Sequence, residues 1–534
     1  MYLTAQRSNT IKTGNIIFIL LAALSLSPVW IFPHFVTADG PCHLYNSMIL
    51  NSWLHSKGGQ FYSNFYHLNM QLVPNWFTHI LLLLFIQIFN PVTAEKILIS
   101  LCFLLFTFGF RYLVNSFEQK QAYLSYWSFL FFWQFAMLMG FYNYMFSIGA
   151  FFWIAGYWIR NFETLSLKQA IALSIGCTVI YFMHLFGLIL AFSSIGMYTL
   201  LQFNKNKFRF WLKKCVELGC IVFPSILLTV NYIHISHKVP EEVEDIPFSA
   251  LSYNIKHLTA LNNISIHDRF FAALTAYVIT ALLILSVVSW LYRKYTTSET
   301  YMSFMLLVCC SLFYFTYHEG FLGGAFIEPR LQVLVYLLAV LCLASLGLSI
   351  TLKRTSIAIS LFIFAGIFIY RFGHYKRLSN FTSEMVSLDS FINPNSTVLP
   401  IHFMDSVKDD EGILAINQML FSHISESITT KKPIIFLENY EANTYYFPLL
   451  WNEKLNPFKY LSIGDDGIET SPPSVALSTY NKDHHRIDYI VSWGKKETPL
   501  SDPSSLILNK EINSLYRLVY TTPTYHIHLY QLKH

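Results

Sequence analysis

The chain has 534 residues, of which 54% are hydrophobic, 17% aromatic and only 13% charged, with a formal net charge of +5. A soluble globular domain carries nearer a quarter of charged residues, so an ordinary soluble enzyme is excluded and an integral membrane protein is expected. The basic residues lie between apolar runs rather than in one block, which argues against a nucleic-acid surface and makes membrane lipids the first partner.

The first apolar stretch, "NIIFILLAALSLSPVWIF", lies behind Arg7 and Lys12 and has no small-residue cleavage site, so it reads as a retained span. Next comes "TADGPCHLYNSMIL" (37–50), opening a polar loop that extends to residue 93. In it Leu44, Met48, Ile49, Trp53 and Leu54 recur at helical spacing, which predicts an amphipathic helix in the interface, started by Gly40-Pro41. The run "NWFTHILLLLFIQIF" (75–89) is expected to lie in the interface or to dip in and return.

On a ruler of roughly 20 apolar residues per crossing, about eleven crossings are expected in all. They lie near 14–34, 94–113, 122–139, 141–159, 168–182, 184–203, 216–234, 270–291, 300–317, 331–349 and 356–372. Tight turns at "GFYN" and "HLFG" join two pairs of them. Basic residues in short loops stay cytoplasmic. Placing Arg7, Lys12, Arg111, Lys120, Arg160, Lys168, 205–214, 291–295 and 351–356 inside puts the Asp39 loop, "GFYNY", "YFMHLFG", "YHEGFLGGAFIEPR" (317–330) and everything after Arg371 outside.

Past residue 372 the apolar runs shorten to strand length between Pro, Asn, Asp and Ser turns. "STVLPIHF", "KPIIFLE", "RIDYIVSW" and "YHIHLYQL" read as strands, "SEMVSLDSFI" and "GILAINQMLFSHI" as helices. The expected fold is therefore an α-helical polytopic membrane protein, with a transmembrane domain over 1–372 that includes the outer loop 37–93, and an extracytoplasmic α/β domain over 373–534 in a multi-pass inner-membrane protein. That second domain lacks GxGxxG and GxxxxGKS, so no nucleotide cofactor is suggested. Eight cysteines, mostly in apolar stretches, with no CxxC and none beyond Cys342, indicate neither a disulfide framework nor a zinc cluster.

Chemistry-bearing residues gather at the outer face. Asp39 is either a plain helix N-cap or a general base for an acceptor hydroxyl, with His43 beside it to orient the carboxylate or hold the acceptor. One Asp and one His do not fill a metal shell, so no metal is assigned, although a divalent ion is compatible with the pair. His318, Glu319, Glu328 and Arg330 bracket a glycine-containing loop; Arg330 is either a snorkelling anchor or a phosphate clamp. Lys96 is a further cation of that kind, and Asn143 and His184 stand at the hairpin tips.

A first span, a large outer loop bearing an acidic residue, an interfacial helix, short hairpins and a terminal α/β domain together resemble the GT-C superfamily of membrane glycosyltransferases, in a protein mannosyltransferase-like arrangement. "ADGPCH" stands where that superfamily has its catalytic acidic residue, and "VPNWFTHILLLLFIQIFNPVTAEKIL" is similar to the segment that carries a basic residue into the next span. "FYNYMFSIG" and "YFMHLFG" look like the tips of bacterial membrane proteins of this type. The DE pair of the mannosyltransferases is absent, since position 40 is Gly.

The resemblance implies Asp39 as base and a basic role for Lys96. It also implies a polyprenyl-phosphate sugar donor held by Arg330 with His318 or Lys96, an unspecified glycan, lipid or protein acceptor, and inversion in one displacement. A transporter or flippase, or a non-catalytic assembly protein, is the competing expectation.

Overall fold

The computed structural model describes residues 2–55, 59–236, 249–258, 268–292, 296–316, 326–403, 407–409, 411–414, 420–428, 432–464, 467–494 and 503–533. The chain begins with α1 (Tyr2–Ile31), α2 (Gly40–Leu54), α3 (Gly59–Phe65), β1 (Tyr66–Leu68) and α4 (Phe77–Phe85). Next come α5 (Pro91–Phe117), α6 (Ser128–Phe132), α7 (Phe135–Leu138), α8 (Tyr142–Asn161), α9 (Leu167–Met183), α10 (Leu185–Leu201) and α11 (Phe208–Ser236). The helical part closes with α12 (Ser249–Leu258), α13 (Asp268–Leu291), α14 (Ser298–Thr316), α15 (Ile327–Leu346) and α16 (Ile350–Ser387). Among the described residues seven helices, α1, α5, α11, α13, α14, α15 and α16, are long and apolar enough to cross a membrane. The protein is an α-helical membrane protein.

Local sequence sets the helix starts. Asn90 accepts from the Thr93 amide at 3.0 Å and Pro91 opens the first turn of α5. Ser166 and Gln169 cap each other's backbone at the start of α9. α4 has nine residues, about 13 Å of helix at 1.5 Å per residue, too short to cross a hydrocarbon core of about 30 Å.

The stretch expected as a crossing at 122–139 is not one helix. A 3-10 segment (Gln119–Trp127) runs into α6 and α7, and every residue from 123 to 140 is buried. Its apolar character serves protein packing, which satisfies an irregular backbone that lipid would not. α2 likewise departs from the amphipathic surface helix expected: Gly40 to Ser47 are buried on all sides, between the bundle and the C-terminal strands.

The two ends of the bundle differ in chemistry. At one, Arg111 bonds Asn15 at 2.6 Å and Ser125 at 2.9 Å, Lys353 lies over Tyr123, and Trp211 reaches Thr199. At the other lie Asp39, Gly140, Asn143, His184 and Arg330, so the basic loops and the candidate site residues separate.

The expected domain border at 372 falls inside α16, which runs unbroken to Ser387. The chain then forms β2 (Ser396–His402), β3 (Lys408–Asp409), β4 (Gly412–Ile413), β5 (Ile434–Phe436), β6 (Leu449–Trp451), β7 (Tyr489–Trp493), β8 (Tyr516–Thr521) and β9 (His528–Leu532). A five-stranded sheet has the order β5-β2-β7-β9-β8; β5, β2 and β7 are parallel, while β9 pairs antiparallel with β7 and β8. The four expected strands are β2, β5, β7 and β9; β8 was not anticipated. "GILAINQMLFSHI" is not helical in its described part, where β4, a turn and a 3-10 segment (Ile424–Ile428) press Phe421 against Phe381 of α16.

This sheet is stitched to the first loop. β1 pairs antiparallel with β6, and Tyr45 of α2 donates to the Ile434 carbonyl at 3.0 Å.

Candidate functional site

Asp39 is the N-cap of α2, but its side chain makes no cap bond and its backbone is already helical (φ −89°, ψ −11°). The plain-cap reading therefore fails, and the carboxylate is available to the cavity it lines. Its backbone is fixed from behind: the Ala38 and Asp39 amides donate to the Leu138 and Met139 carbonyls at 2.9 and 3.0 Å. That approach needs glycine at 140, where φ is +81° and a Cβ would stand 2.8 Å from the Gly40 nitrogen and 2.9 Å from that of Asp39.

Asp39, His43, Asn143, His184 and Arg330 all line one cavity of about 670 Å³, within the size of small-molecule sites. Two chemically distinct walls meet there. One is apolar, from Ile189 and Met197 of α10, Leu306 and Phe313 of α14 and Leu331 of α15. Ile189 is also 48% exposed, so this part opens onto the apolar surface of the bundle. The other is polar and comes from the C-terminal sheet: His402 ends β2, while Glu438 and Tyr440 follow β5, with His423 and Glu469 beside them. The residues sit at the carboxyl ends of parallel strands, where open α/β sheets bind ligands.

Asp39 is buried, accepts from the Tyr440 hydroxyl and lies 3.9 Å from His423 Nε2. Burial pushes its carboxyl up to about 7, against the opposing pull of His43 and Arg330.

Arg330 opens α15 and is positioned by its surroundings. Its guanidinium lies 4.1 Å from the Phe141 ring centroid and 5.4 Å from that of Tyr144, whose hydroxyl holds the Arg330 carbonyl at 3.1 Å. Its Nη1 is 3.4 Å from His184 Nε2. His184 Nδ1 accepts from the Phe186 amide at 3.1 Å, so neutral His184 carries its proton on Nε2. Two N–H groups thus converge at the cavity wall, an arrangement that favours an anion between them.

His43 hydrogen-bonds through one ring nitrogen and forms an ion-pair contact through the other. Nε2 is 2.9 Å from the Gly140 carbonyl, and Nδ1 contacts Glu441 Oε1. The other Glu441 oxygen takes His79 Nε2 at 2.8 Å and Asn46 Nδ2 at 2.5 Å. Asp39, His43 and Asn46 follow helical spacing, so one face of α2 meets the loop after β5. Among the described residues, His43, His79 and Glu441 are the one set of side chains close enough for a cation. Ligands at about 2.0–2.2 Å from a metal stand roughly 3 Å or more apart. The Glu441 oxygens stand closer than that to His43 Nδ1 and His79 Nε2, so the three side chains as they lie pair with one another rather than around an ion.

Three expected residues are placed differently. Lys96 does not reach the cavity; its Nζ caps the C-terminal end of α1 by donating to the Phe32 carbonyl at 2.7 Å. Asn143 has its amide engaged on both sides, accepting from the Thr78 amide and donating to the Asn75 carbonyl, each at 3.0 Å. It ties α4 to α8 rather than offering groups to a phosphate. His318 and Glu319 lie outside the described residues. Glu328 faces away from Arg330, toward Tyr314 and His257.

No protein-family model matches this chain, and no curated protein matches it.

Sequence reasoning missed His79, His423, Glu438, Tyr440 and Glu441. The available signal was "FLENYEAN", two carboxylates and two asparagines directly after a strand-length apolar run. For His79 it was a single imidazole inside "FTHILLLLF".

Proposed function

We propose that the chain is an integral membrane glycosyltransferase that moves a sugar from a polyprenyl-phosphate donor to an acceptor hydroxyl at the outer face of the inner membrane. The observation that carries this reading is a single one. A buried carboxylate shares one cavity with an arginine, and that cavity continues into an apolar groove open to the bundle surface.

The chemistry follows from the placement. The lipid chain would occupy the groove between α10, α14 and α15, and the phosphate would lie against Arg330 and His184. As the acceptor oxygen attacks the anomeric carbon, Asp39 takes its proton and the bond from that carbon to the phosphate oxygen breaks. The electron pair leaves with the lipid phosphate, where the two N–H groups stabilise the growing charge. Attack from the face opposite the leaving group inverts the anomeric centre.

On this reading the architecture is GT-C-like and the C-terminal sheet lies outside, over the acceptor. The crossings would be the seven long helices, α8, the shorter α9 and α10, and the buried broken segment 119–138, which together make the eleven expected.

Asp39→Asn is the decisive variant. It removes the base without removing a cap bond, so membranes supplied with polyprenyl-phosphate sugars should lose transfer by about 10²–10⁴-fold, with melting unchanged. Transfer retained by a folded Asp39→Asn protein overturns the assignment and returns the site to a transporter or scaffold.

A further inference from the structure

We propose that Glu441, supplied by the C-terminal unit, is a positioning residue: it fixes His43 in the doubly protonated form and thereby sets the positive charge that faces Asp39. The inference rests on the reading of Asp39 as the base, and it makes the sheet domain part of the site's electrostatics rather than a cover.

The geometry determines the protons. A backbone carbonyl can only accept, so the 2.9 Å contact of His43 Nε2 with Gly140 places a hydrogen on Nε2. On the other side Nδ1 lies in ion-pair contact with the Glu441 carboxylate, too close for two lone pairs to face each other, which favours a second hydrogen on Nδ1. Glu441 has the His43 imidazole at one oxygen, while the other accepts from Asn46 Nδ2 and lies 2.8 Å from His79 Nε2. The direction of the ionisation agrees. Burial disfavours the His43 cation, yet Glu441 outweighs it and lifts the imidazole to about 9. Burial likewise opposes the Glu441 anion, yet His43 and His79 hold it well below the usual carboxylate range.

Other groups face the pair and Asp39. Arg330 comes from α15, Glu95 from α5, Tyr440 and His423 from the C-terminal unit, and Glu426 from the 3-10 segment after His423; the Tyr142 and His79 rings flank His43 at 5.4 and 5.1 Å between centroids. Of the charges in the pair, His43 acts on Asp39 more strongly than Glu441 does. Neutralising both therefore removes more cation than anion from the neighbourhood of Asp39. The sign is then fixed: without Glu441, His43 loses its second proton, the Asp39 carboxylate is less favoured, and its midpoint moves to higher pH.

The test uses the full-length protein in lipid nanodiscs and two spectroscopic readouts. Nitrogen-15 NMR of histidine-labelled protein reports the His43 imidazolium, assigned by its loss in His43→Gln. Infrared difference titration reports the protonated Asp39 carboxyl, assigned by its loss in Asp39→Asn. At pH 7.5 the wild type should show the imidazolium and Glu441→Gln should not, with the Asp39 midpoint raised by about 1 pH unit. Glu441→Asp, which keeps the charge, should restore both signals toward wild type.

A folded Glu441→Gln protein with both signals unchanged overturns the inference, as does Glu441→Asp behaving like Glu441→Gln. Should Glu441→Gln not fold, the wild type decides: a neutral His43 at pH 7.5 overturns it. None of these readouts requires sugar transfer, so a protein with the expected spectra and no transferase activity would sink the enzyme reading alone.

Discussion

Two arginines at the same end of the bundle have opposite surroundings. Arg371 of α16 is buried and saturated by protein: Nε bonds Asp268 at 3.1 Å, Nη1 the Trp133 carbonyl and Nη2 the Gln134 side chain at 3.4 Å. Arg330 of α15 lies between two aromatic rings, with its Nη1 beside another N–H donor at a cavity wall. The first arrangement ties α13, α16 and the broken segment together. The second holds the guanidinium against aromatic faces and His184 at the wall of the cavity. Residue type and position at a span end are the same in both cases, so the difference lies in what fills the space around the guanidinium.

Substitution should separate the two. Arg371→Ala leaves the Asp268 carboxylate buried without its cation, a loss of about 3–5 kcal/mol, seen as a lower melting temperature or no folded protein in detergent. Arg330→Ala should melt within a few degrees of wild type but lose about 10²–10³-fold in transfer rate on the proposed reading. Equal destabilisation by both would erase the distinction. Gly140→Ala acts on the wall behind Asp39, where a Cβ meets backbone that cannot yield and φ is +81°. It should cost about 2–3 kcal/mol and reduce transfer together with stability. Full activity with wild-type melting would show that the approach of 38–39 to 138–140 is not needed.

This contrast also marks what the sequence could say. Asp39 and Arg330 were legible because a charge beside an apolar run is conspicuous and its burial must be explained. Glu441 and His79 were not, since they lie 362 positions apart and each alone passes for a surface or core residue. Their meeting depends on β1 pairing with β6, which brings the loop after β5 over α2. The segment 122–139 differs from expectation in form, a buried broken path rather than one helix, because hydropathy reports how apolar a stretch is, not whether lipid or protein surrounds it. Strand-length runs show β2, β5 and β7 directly, because a buried parallel strand is almost continuously apolar, while antiparallel β9 shows as a short run with Leu529 and Tyr530 buried. β8 escaped because Arg517 interrupts it and its Leu518 and Val519 are exposed, so no buried face marks it.

The pH dependence tests the polar wall. The carboxylate is the form that accepts a proton, and burial raises the Asp39 pKa to about 7. Transfer should therefore fall as pH drops below 7, by about tenfold per pH unit once Asp39 is mostly protonated. A profile flat from pH 5 to 8 would contradict a base with these surroundings.

Lys96 gives the smallest effect and the cleanest control on the comparison of cations. It is adjacent in sequence to Glu95, yet consecutive helical residues point about 100° apart. Glu95 turns inward and accepts from the Tyr142 hydroxyl at 2.9 Å, while Lys96 turns toward the end of α1 and donates to Phe32. A lysine at a helix C-terminus contributes about 0.3–1 kcal/mol through the free carbonyls there. Lys96→Gln should therefore lower stability by no more than that and leave transfer within about twofold. If instead it matched Arg330→Ala in lost transfer with melting unchanged, the phosphate would have to lie on the α1–α5 side of Asp39, and the groove between α10 and α14 would lose its role as the lipid path.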